Sequence, residues 1–236
     1  MNNPVISVIL PVFNNYKTIT EIYNQVMVEI LKADLSCEII FVNDASTDKS
    51  FEEINKLQND YKNIVLLNNE HNIGQQKSII KGLLNSNGKY CVVMDADLQD
   101  SPKHIIPLIE SLKPPFEAIF TKRLGSYQSN ERMFTSFIFK SITQKLSGLS
   151  KNAGTYFVIK SDLIPSLERL DCKFPYVTYM IACLLPNKIS YQDAIREKAH
   201  FEISQYSRLK RVKAGVLGIA CILECKLKIL TGFVNS

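Results

Sequence analysis

The chain has 236 residues, 46% of them hydrophobic and 22% charged, which excludes disordered and fibrous classes. That length gives one large domain or two small ones, with room for a sizeable core without staples. The net charge of +5 is carried between Arg196 and Lys228, where eight Lys and Arg stand against three Glu; this excludes a uniformly basic nucleic-acid coat and marks one basic C-terminal element.

Strand and helix signals alternate through the first 120 or so residues. VISVILPVF (5–13) is a continuous β-branched run, as expected of a strand buried on both faces. Thr18 opens a helical pattern through Ile22, Val26 and Ile30. CEIIFVN (37–43) is the second strand, and Asp44, Ser46, Thr47 and Asp48 supply turn and cap groups before a helix carrying Ile54 and Leu57. IVLLN (64–68) is the third strand, followed by a helix over 75–84; YCVVMD (90–95) is the fourth, and Ser101-Pro102 starts the next helix. EAIFTK (117–122) is a fifth strand. Beyond it, helices are predicted over 134–146, 163–170 and 176–185, with TYFVIK (155–160) as a strand. From Gln205 on, Leu209, Val212, Val216, Ile219, Leu223, Leu227 and Leu230 recur at helical spacing beside Arg208, Lys210, Arg211 and Lys213. The expectation is an α/β fold, a doubly wound and mostly parallel sheet flanked by helices, with a basic amphipathic C-terminal helix. The boundaries are 1–200 for the main domain and 201–236 for the helical appendage.

Six cysteines include no CxxC pair and no His-rich neighbour, so structural zinc and a disulfide framework are not expected. Cys221 and Cys225, four apart on a helix, are taken as small apolar filler. No signal-peptide pattern is present, and no apolar run approaches the ~20 residues of a spanning helix.

In doubly wound sheets ligands bind at the carboxyl ends of the strands, and the polar clusters fall there: Asn14 and Asn15, Asn43 and Asp44, Asp95 and Asp97. In DADLQD (95–100), Asp95 and Asp97 flank one small residue at a strand end, so their carboxylates can converge. Crowded carboxylates call for a cation, and oxygen ligands suit Mg²⁺ or Mn²⁺; the plainer alternative is a solvated acidic turn. Asn43 and Asp44 can meet a base or ribose hydroxyl, or form an Asx turn. Neither a Walker A sequence nor GxGxxG is present, which leaves phosphates to be held by a metal.

VILPVFNN (8–15), FVNDASTD (41–48), NIGQQKSIIKGL (72–83) and VVMDADLQDSP (92–102) come in the order, spacing and strand-end positions of family 2 glycosyltransferases of the GT-A fold. Within that family the pairing of N-x-G-Q with D-A-D-L-Q is similar to polyprenyl-phosphate glycosyltransferases. The resemblance implies a metal-dependent inverting transfer of one sugar from a nucleoside diphosphate sugar to a polyprenyl phosphate. It also implies roles: Asp97 at the reacting centre; Asp95, Asp97 and Gln99 on Mg²⁺ or Mn²⁺; and Pro11, Phe13, Asn15, Asn43, Asp44, Gln75, Asp95 and Ala96 around the nucleotide sugar. Arg123, Arg132, Ser204 and Tyr206 would meet the acceptor phosphate, for which a guanidinium fork is suited. Asn15, Asn43 and Ala45 stand where the family commonly has Glu, Asp and Gly, and Ala199 and Glu202 where it has Arg and Gly.

A sugar-hydroxyl acceptor needs a general base, commonly from a Glu-Asp pair that this chain lacks; Asp193 and Glu202 are isolated candidates for that alternative. A phosphate acceptor is already ionised and needs none. A non-catalytic nucleotide-sugar-binding module is the alternative from another class, opposed by the retention of both Asp95 and Asp97. The basic C-terminal helix suits the inner face of an anionic cytoplasmic membrane, packing on the domain, or a homo-oligomer; no nucleic acid partner is expected.

Overall fold

The computed structural model describes residues 4–124, 130–195 and 208–232, with side chains at 4–122, 139–194 and 212–232. Among the described residues, seven strands form one sheet in the order β3-β2-β1-β4-β6-β5-β7. They are β1 Ile6–Val12, β2 Cys37–Asn43, β3 Ile64–Asn68, β4 Tyr90–Val93, β5 Ala118–Leu124, β6 Ala153–Lys160 and β7 Ile189–Ile195. The helices are α1 Ile19–Lys32, α2 Ser50–Asp60, α3 Gln75–Leu84, α4 Ile105–Ser111, α5 Asn130–Ser147, α6 Ile164–Leu170, α7 Val177–Leu184 and α8 Arg208–Leu230. The first four strands are mutually parallel, β5 pairs in parallel with β7, and β6 runs antiparallel between β4 and β5. This mostly parallel sheet between helical layers matches the expected architecture. Two features lie outside the sequence expectation: the reversed direction of β6 and the edge strand β7.

Every residue of β1 is buried because the sheet is covered on both faces. Its alternation sends Ile6, Val8, Leu10 and Val12 to a core shared with Ile22 and Val26 of α1 and Ile54 of α2. Ile9 points the other way, into a core holding Ile79 and Leu83 of α3, Phe157 of β6 and helices α6 and α7. A Cβ added at Gly82 would lie 2.5 Å from the Ile9 side chain, so the missing side chain is what lets α3 lie close against the sheet. That closeness fixes the helix whose first residue enters the site below.

Helix α8 packs on α5 and α7. Gly218, Cys221, Ile222 and Cys225 face inward, and Cys221 and Cys225 join the core beneath α7. Val212, Val216, Leu223, Leu227 and Leu230 of the apolar series face outward, Leu227 with 63% and Leu230 with 84% of its surface exposed. The helix thus has apolar residues on two sides, Ile222 with small residues on the packed side and Val212, Val216, Leu223, Leu227 and Leu230 on the open one. Among the described residues, no helix is long and apolar enough to cross a membrane.

Candidate active site

The chain winds from β1 through β2 to β3 on one side and then returns to place β4 on the other edge of β1. The carboxyl ends of β1 and β4 flank this reversal, where a parallel sheet leaves a crevice. Four loops meet there, and side chains rather than regular structure hold them.

The loop after β1 is sewn to the loop after β2. Asn14, at φ 58°, accepts from the Thr47 N–H (2.8 Å) and donates its own N–H to Ser46 Oγ (3.0 Å). The Asn15 N–H donates to Ser50 Oγ (3.0 Å), and Asp48 accepts from the Tyr16 N–H (3.2 Å) and the Ser50 N–H (3.0 Å). Ser46 and Thr47, expected as helix-capping groups, are thus engaged by the neighbouring loop, and Asp48 serves both loop and helix. Thr18 begins α1 without a side-chain capping bond, and its hydroxyl donates to the Ala96 carbonyl (2.6 Å), tying β1's loop to the end of β4.

Asp44 is 3% exposed. Its Oδ1 accepts from the Ile73 N–H (2.8 Å) and the Asn69 amide (2.9 Å), and its Oδ2 from the Gly74 N–H (2.8 Å). Asn43 donates to Asn68 Oδ1 (2.7 Å), and Lys81 reaches back to Asn69 Oδ1 (2.7 Å). The loop 69–74 is therefore pinned to β2 through a buried carboxylate, a role the sequence did not disclose. Gly74, at φ +88°, takes a conformation that side chains rarely adopt and turns the chain into α3. Gln75 follows at once and donates its amide to Asp95 Oδ1 (2.7 Å).

From Asp95 to Asp100 burial alternates although the strand has ended: Asp95, Asp97 and Gln99 are half-buried, while Ala96, Leu98 and Asp100 are buried. Leu98 adopts φ 63°, a left-handed conformation unusual for a branched side chain. Asp95 is braced on both oxygens, by Gln75 and by the Thr155 hydroxyl of β6 on Oδ2 (3.2 Å). Asp97 Oδ1 accepts from the Gln99 N–H (3.0 Å). The set fits a hard divalent cation: two carboxylates and an amide at one strand end, the first carboxylate oriented by outer hydrogen bonds. Two protein carboxylates with ligand phosphates and water completing the shell is the arrangement Mg²⁺ favours.

Behind this loop Tyr156 is 1% exposed, and its hydroxyl donates to the Ser101 carbonyl (3.2 Å). Burial, helped by the Asp100 carboxylate, raises its pKa well above 10. A raised folded pKa contributes stability that is complete below about pH 10 and lost as pH rises beyond it. Thermal melts from pH 8 to 11 should show the wild type losing Tm more steeply above pH 10 than Tyr156→Phe. At pH 7 the variant should sit lower by about 1 kcal/mol, the size of one buried hydrogen bond.

Among the other predicted residues, Pro11 is buried in β1, and Phe13, 49% exposed, stands at the rim. The backbone of Arg123 lies in β5 and that of Arg132 in α5, their side chains outside those described. Ser204, Tyr206 and Glu202 fall outside the described residues. Asp193 is exposed on β7. A groove of about 770 Å³ opens beside Gln75, walled by Phe139, Phe174, Tyr176 and Tyr179 and carrying Lys77 and Lys213. The residues not anticipated are Thr18, Asn69 and Thr155: single polar side chains without a motif of their own.

Residues 7–164 match the family model described as glycosyl transferase family 2. A Bacillus subtilis protein, YkcC, described as an uncharacterized glycosyltransferase, is 26% identical over 231 residues, covering 94% of this chain and 70% of its own length. An undecaprenyl-phosphate 4-deoxy-4-formamido-L-arabinose transferase of Pectobacterium atrosepticum is 24% identical over 231 residues, with 96% and 70% covered. Among solved structures, glucosyl-3-phosphoglycerate synthase from Mycobacterium tuberculosis, in complex with Mn²⁺, uridine diphosphate and phosphoglyceric acid, superposes with TM-score 0.68 at 16% identity, with 94% of this chain and 78% of that one covered. Mannosyl-3-phosphoglycerate synthase from Rubrobacter xylanophilus gives TM-score 0.65 at 14% identity, with 97% and 74% covered. At these identities the likeness to solved structures is one of fold.

Proposed function

The chain belongs to glycosyl transferase family 2, and from that membership we propose that it transfers one sugar, with inversion, from a nucleoside diphosphate sugar to a polyprenyl phosphate at a membrane surface. The observation that carries the reading is Asp95, braced on both oxygens at the sheet's switch point, with half-buried Asp97 and Gln99 following it on the same loop. A divalent ion held there, Mn²⁺ or Mg²⁺, would neutralise the leaving diphosphate. Gln75 and Thr155 orient Asp95, and the Asp44-pinned loop keeps Gln75 in place. An acceptor phosphate oxygen forms the new bond to the anomeric carbon as the bond to the diphosphate breaks, and the electron pair leaves with the nucleoside diphosphate. The acceptor is already an anion, so no protein base is required; Arg123 and Arg132 are proposed to hold it.

Three observations support a lipid acceptor. The relatives include an undecaprenyl-phosphate sugar transferase. The groove beside Gln75 combines aromatic walls with lysines, chemistry suited to an apolar chain with an anionic head. The open side of α8 sets Val216, Leu223 and Leu227 beside exposed Lys213 and Lys226, which suits a helix lying on an anionic bilayer.

The test is release of nucleoside diphosphate from UDP-, GDP- and dTDP-sugars with Mn²⁺ or Mg²⁺, in vesicles containing undecaprenyl phosphate or undecaprenol. Release that depends on the lipid phosphate, with sugar appearing in the organic extract, is expected. Equal release with the alcohol, or transfer only to a sugar hydroxyl, would overturn the reading.

A further inference from the structure

Three of the six cysteines gather at one place under α8, one brought by the loop after α6 and two from successive turns of α8 itself. The sulfurs of Cys172, Cys221 and Cys225 lie within 4.8 Å of one another, and all three residues are buried. Cys172 Sγ is 3.2 Å and Cys221 Sγ 4.0 Å from Cys225 Sγ. Cys183 of α7 packs against the same core and lies near enough to influence the Cys225 thiol. Sulfurs about 2.3 Å from a central ion at the corners of a tetrahedron lie about 3.8 Å apart, and the separations of 3.2 and 4.0 Å here fall on either side of that value.

The surroundings match. The Tyr176 N–H points at Cys221 Sγ (3.4 Å), a backbone bond of the kind that steadies a ligating sulfur. The loop carrying Cys172 is tied to α8 on both sides. Lys228 donates to the Leu170 and Asp171 carbonyls (2.6 and 2.9 Å), and the Lys173 N–H donates to Glu224 (3.1 Å). Lys228 acts electrostatically on Cys172, and Lys226 on Cys183, offsetting the surplus negative charge that four thiolates leave on a divalent ion. Apolar filler accounts for the burial of each of the three thiols but not for their convergence, nor for the amide aimed at one of them. A single disulfide would use two sulfurs and leave the others crowded against it.

We propose that Cys172, Cys221 and Cys225, with Cys183 completing the set, form a structural zinc site that fastens α8 and the 170–173 loop to α7. Soft thiolates select Zn²⁺ over the hard cations suited to Asp95 and Asp97, so the two sites need not compete. The position of α8 matters because Val212, Lys213 and Gly215 line the groove beside Gln75.

The reduced, metal-stripped full chain should be titrated with Co²⁺. One thiolate-bound ion per chain, read from saturation of a strong thiolate-to-cobalt charge-transfer absorption, with d–d bands of tetrahedral intensity that Zn²⁺ abolishes, is expected. Cys225→Ser and Cys221→Ser should lose the absorption, whereas Cys91→Ser and Asp97→Ala should keep it. If the serine variants fail to fold, alkylation of the wild type decides: Zn²⁺ should protect Cys172, Cys183, Cys221 and Cys225 and leave Cys37 unaffected. Absence of charge-transfer absorption in the reduced wild type, or protection unchanged by Zn²⁺, would overturn the proposal. So would a Cys172–Cys225 disulfide in protein purified without reductant and found free of zinc.

Discussion

Replacing Asp97 by alanine should lower sugar transfer by a hundred- to a thousandfold, about 3–4 kcal/mol in the activation barrier, while leaving the fold intact. The magnitude is typical of removing one group that stabilises charge developing in the transition state. Asp97 is half-buried at a loop rather than in the core, and its hydrogen bond to the Gln99 N–H is local. Asp97→Asn separates the two roles, since its side-chain oxygen can still accept from Gln99 although the charge is gone. The asparagine variant should therefore match wild-type Tm within a degree or two yet show a similar loss of nucleoside diphosphate release. Turnover of the alanine variant within threefold of wild type would refute the assignment of Asp97 to the reaction.

Asp44→Ala should be costly for a different reason. The carboxylate accepts from two backbone N–H groups and the Asn69 amide while nearly shielded from water. Deleting it leaves three donors stranded, each costing roughly 1–3 kcal/mol where water cannot replace the acceptor. A loss of about 3–5 kcal/mol is expected, which for a chain of this size lowers Tm by roughly 10 °C or more. Activity should fall further than stability, because the released loop carries Gln75 and with it the orientation of Asp95. Asp44→Asn should lie between, since one oxygen keeps the Ile73 and Asn69 bonds while the new amide meets the Gly74 N–H donor to donor. Urea unfolding with activity assays below the transition distinguishes the two effects. A Tm change under 2 °C for Asp44→Ala would show that the loop does not depend on this residue.

Where the sequence was legible, the physics is local. β2, β3 and α3 have the expected bounds because their apolar runs end at polar strand-end and turn residues. Where it was not, distant partners decide. In β7, Ala194 is buried but Asp193 is exposed, so ISYQDAI offers no clear apolar signal; its strand character comes from pairing along β5. The direction of β6 depends on which neighbours it finds, not on its composition. The periodic leucines of α8 announced a helix, but Gly218, Cys221, Ile222 and Cys225 form its inner face, because the close approach to Tyr179 and to the Cys172 loop suits small residues there. That Asp95, Asp97 and Gln99 follow directly on the end of β4 was readable from one short motif. The anchoring by Asp44 was not, because its backbone partners lie about thirty residues downstream and carry no side-chain signature.

The antiparallel strand β6 has a consequence for how the molecule is made. Strands β1 to β4 pair in parallel among themselves, and the loops that frame the cleft belong to the same first hundred residues. A ribosome therefore delivers this half first, with Tyr90–Val93 as a bare sheet edge whose backbone groups await β6, about sixty residues later. During that interval the nascent chain offers an unpaired apolar edge to any other strand nearby, including one from a sister chain. Ala153–Lys160 is thus the segment whose arrival ends the period of greatest exposure to misassembly.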